Sequence, residues 1–294
     1  MTVAPTDLAL LAAPALRRGG LRTYFRRHPT MVIGGVLLSL MALMAIFAPY
    51  LGTVDPQALS PIKRLRWPSA QYWFGTDMLG RDIYSRTIYG ARVSLTVGIS
   101  VALLASGIGL VIGLVTGFSR WTDAIVMRIM DGLMSIPSIL LAIALMALTR
   151  ASLENVIIAI TITQVPRDTR LVRSVVLTLR ELPFVEAAYA SGTGFLRILW
   201  RHILPNALPT LLVQATFTAA AAMIVEAILS FLGAGTPPNI PSWGNIMAEG
   251  RSLFQVAYYI VLFPGLFLSV TVLAINLLGD GLRDALDPRL ARRM

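Results

Sequence analysis

Few side chains in this sequence are equipped for covalent chemistry. It contains no cysteine, which excludes disulfides, thiolate metal sites and cysteine nucleophiles. Its two histidines, His28 and His202, are too few for a His-rich metal or haem site. The single lysine, Lys63, follows Ile62, so the Gly-Lys-Ser/Thr core of a phosphate-binding loop is absent. Neither a Gly-x-Ser-x-Gly elbow nor a His-Glu-x-x-His pair occurs, which sets aside an embedded hydrolase. Two acids stand out instead, because Asp131 and Glu226 lie within apolar stretches where an ionised group is costly and by default a functional candidate. Asp131 sits three residues from Arg128, so a local ion pair on one helical face is its plainer reading. Glu226 has no base nearby in sequence. It is a candidate to line or gate a pathway, or to make a structural hydrogen bond to a neighbouring helix.

The elements that hold these residues follow from composition. Apolar residues make up 56% and charged residues 14%, against about 25% charged in an ordinary soluble domain. The charges are also clustered, since residues 93–119, 203–225, 227–248 and 252–279 between them hold only apolar and uncharged polar types. Such stretches suit a bilayer core of ~30 Å, which needs about 20 apolar residues in a helix. The expected fold class is therefore an all-α polytopic membrane protein. Spans are expected at Met31–Leu51, Val93–Phe118, about Ala124–Thr149, about Ala207–Phe231 and about Ala257–Gly279. The first is read as an uncleaved anchor, because its leader is long and no Ala-x-Ala site closes it.

A further span is less obvious. Asn155–Pro166 is uninterrupted but too short alone, so it must borrow from Ala151 and from the basic segment Arg167–Arg173. Charge decides in its favour. With six spans and both termini cytoplasmic, 17 of the 25 Lys and Arg residues lie inside, as the positive-inside rule requires, and omitting this span reverses the balance. Six transmembrane helices are expected. The loop 52–92 holds an outside excess of base, partly offset by Asp77 with Arg81 and Asp82 with Arg86, both i,i+4 pairs. A short interfacial helix is expected there. In the second span Gly109, Gly113 and Gly117 recur every four residues and predict a face for close helix packing. The net +10 is accounted for by arginines at membrane edges, with no nucleic acid as partner.

Between the fourth and fifth spans lies LRELPFVEAAYASGTGFLRILWRHILPN, residues 179–206, placed on the cytoplasmic side. Pro183 suits the first turn of a helix, and Gly192 supplies a left-handed stop. A second short helix is expected over Phe195–Leu204, ended by Pro205. Two readings are open from the residues alone: an amphipathic connector resting on headgroups, or a docking helix for a cytoplasmic protein.

The spacing Glu186-Ala187-Ala188, Gly192, His202, Leu204, Pro205 resembles the coupling signature of binding-protein-dependent ABC importer permeases. His202 stands where that signature has an apolar residue. FGTDMLGRDIYSR (74–86), MRIMDGLMSIP (127–137), SFLGAGTPPNIPSWGNIM (230–247) and NLLGDGLRDALDPRL (276–290) are similar to the dipeptide/oligopeptide/nickel subfamily, in its C-type subunit. The resemblance implies a type I ABC importer permease fold. It implies a core over about 92–280, with 1–91 an added anchor and outer loop and 281–294 a cytoplasmic tail. It further implies a heterodimer with a homologous permease, two ATPase subunits that bind the ATP and Mg, and an extracytoplasmic solute-binding protein. The setting would be the bacterial inner membrane. Glu186 would contact a basic residue of the ATPase, and Gly192 would permit the turn. The outer loop Gly233–Arg251, stiffened by Pro237, Pro238 and Pro241, would receive the solute-binding protein, with Trp243 at the membrane boundary.

Peptides are the preferred cargo on this resemblance, with nickel chelates, opines or oligosaccharides as alternatives. An ion-coupled secondary transporter is the rival from another class. It would use Asp131 and Glu226, but it has no use for a docking motif.

Overall fold

The structure is a computed structural model that describes residues 28–286. The basic leader and the Asp-Pro-Arg tail lie outside the described residues. Ten helices follow in order: α1 Pro29–Ile46, α2 Ile83–Phe118, α3 Arg120–Ser135, α4 Ser138–Ala147, α5 Leu153–Arg180, α6 Pro183–Ala190, α7 Phe195–Ile198, α8 Leu204–Phe231, α9 Trp243–Gly250 and α10 Tyr259–Leu286. Several begin where the sequence supplies an oxygen for an orphan N–H. Asp82 accepts from the Ser85 N–H at 2.8 Å to start α2, and Ser152 accepts from the Asn155 N–H at 3.1 Å to start α5.

The glycine face organises the bundle. A Cβ on Gly109 would meet Asp168 at 2.7 Å, on Gly113 it would meet Val172 at 2.6 Å, and on Gly117 it would meet Val176 at 2.5 Å. Each partner advances by four residues with each glycine, so α2 and α5 run parallel along a seam only glycine permits. Because they are parallel, residues 119–152 must return the chain from one end of the bundle to the other, and α3 with α4 makes that return. Elsewhere the order reverses. Gly281 abuts Met31 while Gly34 abuts Ala274 and Leu278, so α1 and α10 are antiparallel; Gly98 abuts Met223 and Ala219 where α8 packs on α2. This order is consistent with six traverses. Helices α1, α2, α8 and α10 are long and apolar enough to cross a membrane, and α3–α4 makes a fifth if the pair counts as one span. The sixth, α5, carries too much charge to qualify by composition, yet its 28 residues reach about 42 Å.

Three expectations are corrected by the structure. The third span is not one helix, because α3 and α4 meet at 90°. Ile136 is extended, as the residue before a proline prefers, and Pro137 caps α4. The interfacial helix before the second span is absent. Residues 75–82 form an irregular loop held by Asp77, and the residues after Asp82 are the first turns of α2 itself. Asp82 is consumed as an N-cap, so Arg86 turns instead to Asp77 at 2.7 Å and to Glu249. Trp243 is not a boundary anchor. It is fully buried, and its indole N–H donates to the Thr87 carbonyl at 2.9 Å, pinning α9 against α2.

Candidate functional site

At the end of the bundle where α2 and α5 finish, the chain makes the compact turn that contains the expected docking motif. Leu182 precedes α6, and Pro183 occupies its first turn, where the missing N–H costs nothing. Val185 is fully buried in a cluster with Val172, Val176, Ile198, Ile203 and Leu211. That anchor turns the opposite face outward. Glu186 and Ala187 are exposed, and Ala188 is half-buried. The helix ends in a Schellman closure: the Gly192 N–H donates to the Tyr189 carbonyl at 2.9 Å and the Thr193 N–H to the Ala188 carbonyl at 3.0 Å. Gly192 sits at φ +74, in the left-handed region, as its position in the sequence predicted.

Beyond the turn the structure departs from expectation. Helix α7 is four residues long and does not end at Pro205. A π-turn over Leu199–Ile203 carries it straight into α8. Pro205 has no N–H to give to a carbonyl one turn back, and the wider turn, closed by the Leu204 N–H on the Leu199 carbonyl, accommodates the defect. Asn206 then donates to the His202 carbonyl at 2.6 Å. The His202 ring lies 6.2 Å from that of Phe184, so it packs against α6, while Leu204 is half-buried and Pro205 exposed. Phe184 and Tyr189 of α6 and Leu196 and Trp200 of the following turn are also exposed, Trp200 to 67%. An exposed acid beside exposed apolar side chains fits both readings left open by the sequence, a connector resting on headgroups and a docking helix.

The two intramembrane acids are engaged by other groups. Asp131 does not pair with Arg128. It pairs with Arg170 of α5, as Asp123 pairs with Arg173, because α3 packs across α5. Glu226 is fully buried on the side of α8 that faces α2 and α9. Its Oε1 accepts from Ser230 Oγ at 2.8 Å, with Ser94 and Ser242 facing it. Asp168, which carries no local signal in the sequence, is likewise fully buried. It ties three helices by accepting from Ser106 at 3.0 Å, Gln214 at 3.1 Å and Thr218 at 3.2 Å.

Neither Asp131 nor Glu226 lines the cavity that the bent α3–α4 pair opens against α5 and α8. This cavity is about 400 Å³, walled mostly by apolar side chains of α3, α4 and α8. Its polar groups are Ser138, Thr163, Gln164 and Arg167. The sequence does signal Arg167, as a base inside a short span, but there it counts only as length borrowed for the helix.

Comparison with known proteins gives two family matches. The description "Binding-protein-dependent transport system inner membrane component" matches residues 106–292, and "N-terminal TM domain of oligopeptide transport permease C" matches residues 21–68. A probable peptide ABC transporter permease of Sinorhizobium fredii is 54% identical over 91% of this chain and 92% of its own. A dipeptide transport system permease of Alkalihalophilus pseudofirmus is 44% identical over 90% of this chain and 88% of its own. Among solved structures, an inward-facing methionine ABC transporter gives a TM-score of 0.57 at 22% identity. The match covers 70% of this chain and 98% of that one, which is a likeness of fold.

Proposed function

The chain belongs to the family of binding-protein-dependent transport system inner membrane components, and from that premise we propose how it works in a peptide importer. It is a permease subunit, and it supplies one wall of the translocation pathway. A homologous permease supplies the other wall. Two ABC ATPases, which bind the ATP and Mg, dock on the α6 end, and an extracytoplasmic solute-binding protein delivers cargo at the α9 end. The α6 end and both termini face the cytoplasm of a bacterial cell, across its inner membrane. The importer core is 92–280, with 1–91 an anchor and outer loop and 281–294 a tail. Peptide cargo is supported by the peptide and dipeptide permeases to which the chain is similar.

One observation carries the coupling role. Helix α6 is fastened to the bundle through Val185 yet leaves Glu186 and Ala187 facing outward, beside exposed Phe184 and Tyr189. A short rigid element, seated on one side and open on the other, transmits displacement because packed interfaces switch between discrete arrangements. Glu186 supplies the charge for a basic group on the ATPase, and Ala187 and Ala188 keep the contact face small. Gly192, His202, Leu204 and Pro205 return the chain to the membrane.

The test is uptake of radiolabelled peptide by cells carrying Glu186→Arg or Gly192→Pro, with membrane assembly followed in parallel. Both substitutions are expected to abolish uptake while the permease pair still assembles. Normal uptake by either one removes coupling from this loop.

A further inference from the structure

The cavity beside the α3–α4 bend contains one charged side chain, Arg167, near the midpoint of α5. Its neighbours on α5 are spoken for: Arg170 pairs with Asp131, Arg173 with Asp123, and Arg180 reaches the Gly117 carbonyl and Glu181. Among the described residues, Arg167 makes no ion pair and no side-chain hydrogen bond. The adjacent Asp168 feels its charge, but that carboxyl points away, into the α2–α8 side, and is held by three donors there. Gln164, one turn earlier on the same face, is 6% exposed, lines the same cavity, and makes no side-chain hydrogen bond among the described residues. Gln164 is buried and Arg167 is exposed where it borders the cavity, so a carboxamide and a guanidinium, one turn apart and both without partners among the described residues, are poor candidates for structural ties.

Their chemistry suits one class of ligand. A guanidinium binds a carboxylate with two parallel N–H groups, and a carboxamide both donates to and accepts from a peptide unit. Apart from the hydroxyls of Ser138 and Thr163, the remaining walls, from Leu133, Met134, Ile136 and Ile224 among others, are apolar. A cavity of about 400 Å³ falls in the range of small-ligand sites. Resting on the peptide-importer reading above, we propose that Arg167, with Gln164 beside it, is a transit site for the C-terminal carboxylate of the passing peptide. Every unmodified peptide carries that group whatever its side chains, so one fixed cation serves a broad range of cargo. A transit site must also bind weakly enough for release onward.

The experiment uses the complete complex in proteoliposomes, supplied with its solute-binding protein and a radiolabelled tripeptide. Arg167→Gln is expected to lower uptake by about tenfold or more, the loss of a charge-assisted bond. ATPase stimulation by the loaded binding protein and recovery of the partner permease should stay at wild-type levels. Arg167→Lys should restore most of the uptake. Because the chain has no cysteine, Gln164→Cys gives a second readout. A tripeptide carrying a thiol-reactive group should label this chain during turnover, detected by its mass, and excess plain tripeptide should protect it. Wild-type uptake by Arg167→Gln, or an unlabelled Gln164→Cys in a transporting complex, overturns the proposal. So does loss of the partner permease from Arg167→Gln, which would make Arg167 an inter-subunit ion pair. A wild-type complex that imports no peptide at all sinks the importer reading itself, however Arg167→Gln behaves.

Discussion

Gly113 of α2 lies so close to Val172 of α5 that a methyl group on its Cα would meet the valine Cβ at 2.6 Å. Nothing at that contact can give way cheaply, since the third nearest atom is the Thr169 carbonyl oxygen at 2.9 Å. Gly113→Ala is therefore expected to destabilise the bundle by about 1–3 kcal/mol, as overpacking does. Gly107, six residues earlier on an open face of the same helix, serves as the control, because a methyl group there would meet no atom within 4 Å. Gly107→Ala should be neutral or slightly stabilising, because alanine is the better helix former. Thermal unfolding of the purified permease checks both, and equal melting temperatures for the two variants would sink the seam argument.

Asp77 holds together a four-charge cluster at the α9 end of the bundle. Its carboxylate accepts from Arg81 at 2.6 Å and Arg86 at 2.7 Å, and Glu249 of α9 accepts from the same two arginines. Asp77 and Arg86 are each 1% exposed, so removing the Asp77 charge leaves two arginines in a dry site with Glu249 as their one remaining carboxylate. Asp77→Asn keeps the shape and the Oδ1 that accepts from the Leu79 and Arg81 N–H groups. It is nonetheless expected to cost about 3–5 kcal/mol. The measurable result is a lower melting temperature together with faster protease cleavage in loop 52–82.

Local physics was legible in the sequence, and long-range pairing was not. Gly192 could be placed in a left-handed turn, and Gly109, Gly113 and Gly117 on a packing face, because each inference needs only neighbours within one or two turns. Two of the prolines, Pro137 and Pro166, show the limit. Pro137 follows an extended residue and breaks its span by 90°, whereas Pro166 sits inside α5 with the helix continuing on both sides. The difference lies in what packs around them, since Val165 and Pro166 are both buried within the bundle. Asp131 had a base at i,i+3 and yet pairs 39 residues away with Arg170, because the crossing of α3 over α5 brings that arginine alongside. Trp243 carried the composition of a boundary residue. Its partner, the Thr87 carbonyl, is 156 residues distant and invisible to any local window. In the candidate site, the motif residues stood out by spacing, but Arg167 could be recognised only once the bend of α3–α4 had opened a cavity beside it.

Glu226 provides a contrast with Arg167 that the same transport assay can read. Its carboxyl is fully buried away from the cavity, and Ser230 Oγ donates to Oε1 at 2.8 Å on the same helix. Glu226→Gln preserves that acceptor oxygen and the side-chain volume. Uptake kinetics are expected to stay within about twofold of wild type, the scale of a hydrogen-bond adjustment of a few tenths of a kcal/mol. A loss as large as that expected for Arg167→Gln would return Glu226 to the pathway or its gate.

Gly192 allows the coupling turn to be titrated. Its φ of +74 is forbidding for most side chains, yet a Cβ there would meet no atom within 4 Å, so any cost of substitution is backbone strain alone. Asparagine visits the left-handed region readily, alanine does so at about 1–2 kcal/mol, and a β-branched residue at more. Uptake should therefore fall in the order Gly192→Asn, Gly192→Ala, Gly192→Val. The asparagine variant should stay near wild type, and the valine variant should be at least about tenfold down, the factor that ~1.4 kcal/mol sets. The Schellman bonds of Gly192 and Thr193 to Tyr189 and Ala188 fix the end of α6, so strain at this one dihedral tilts the face that carries Glu186. If the three variants transport equally while the complex stays assembled, the orientation of α6 has no part in coupling, whatever Glu186 itself contacts.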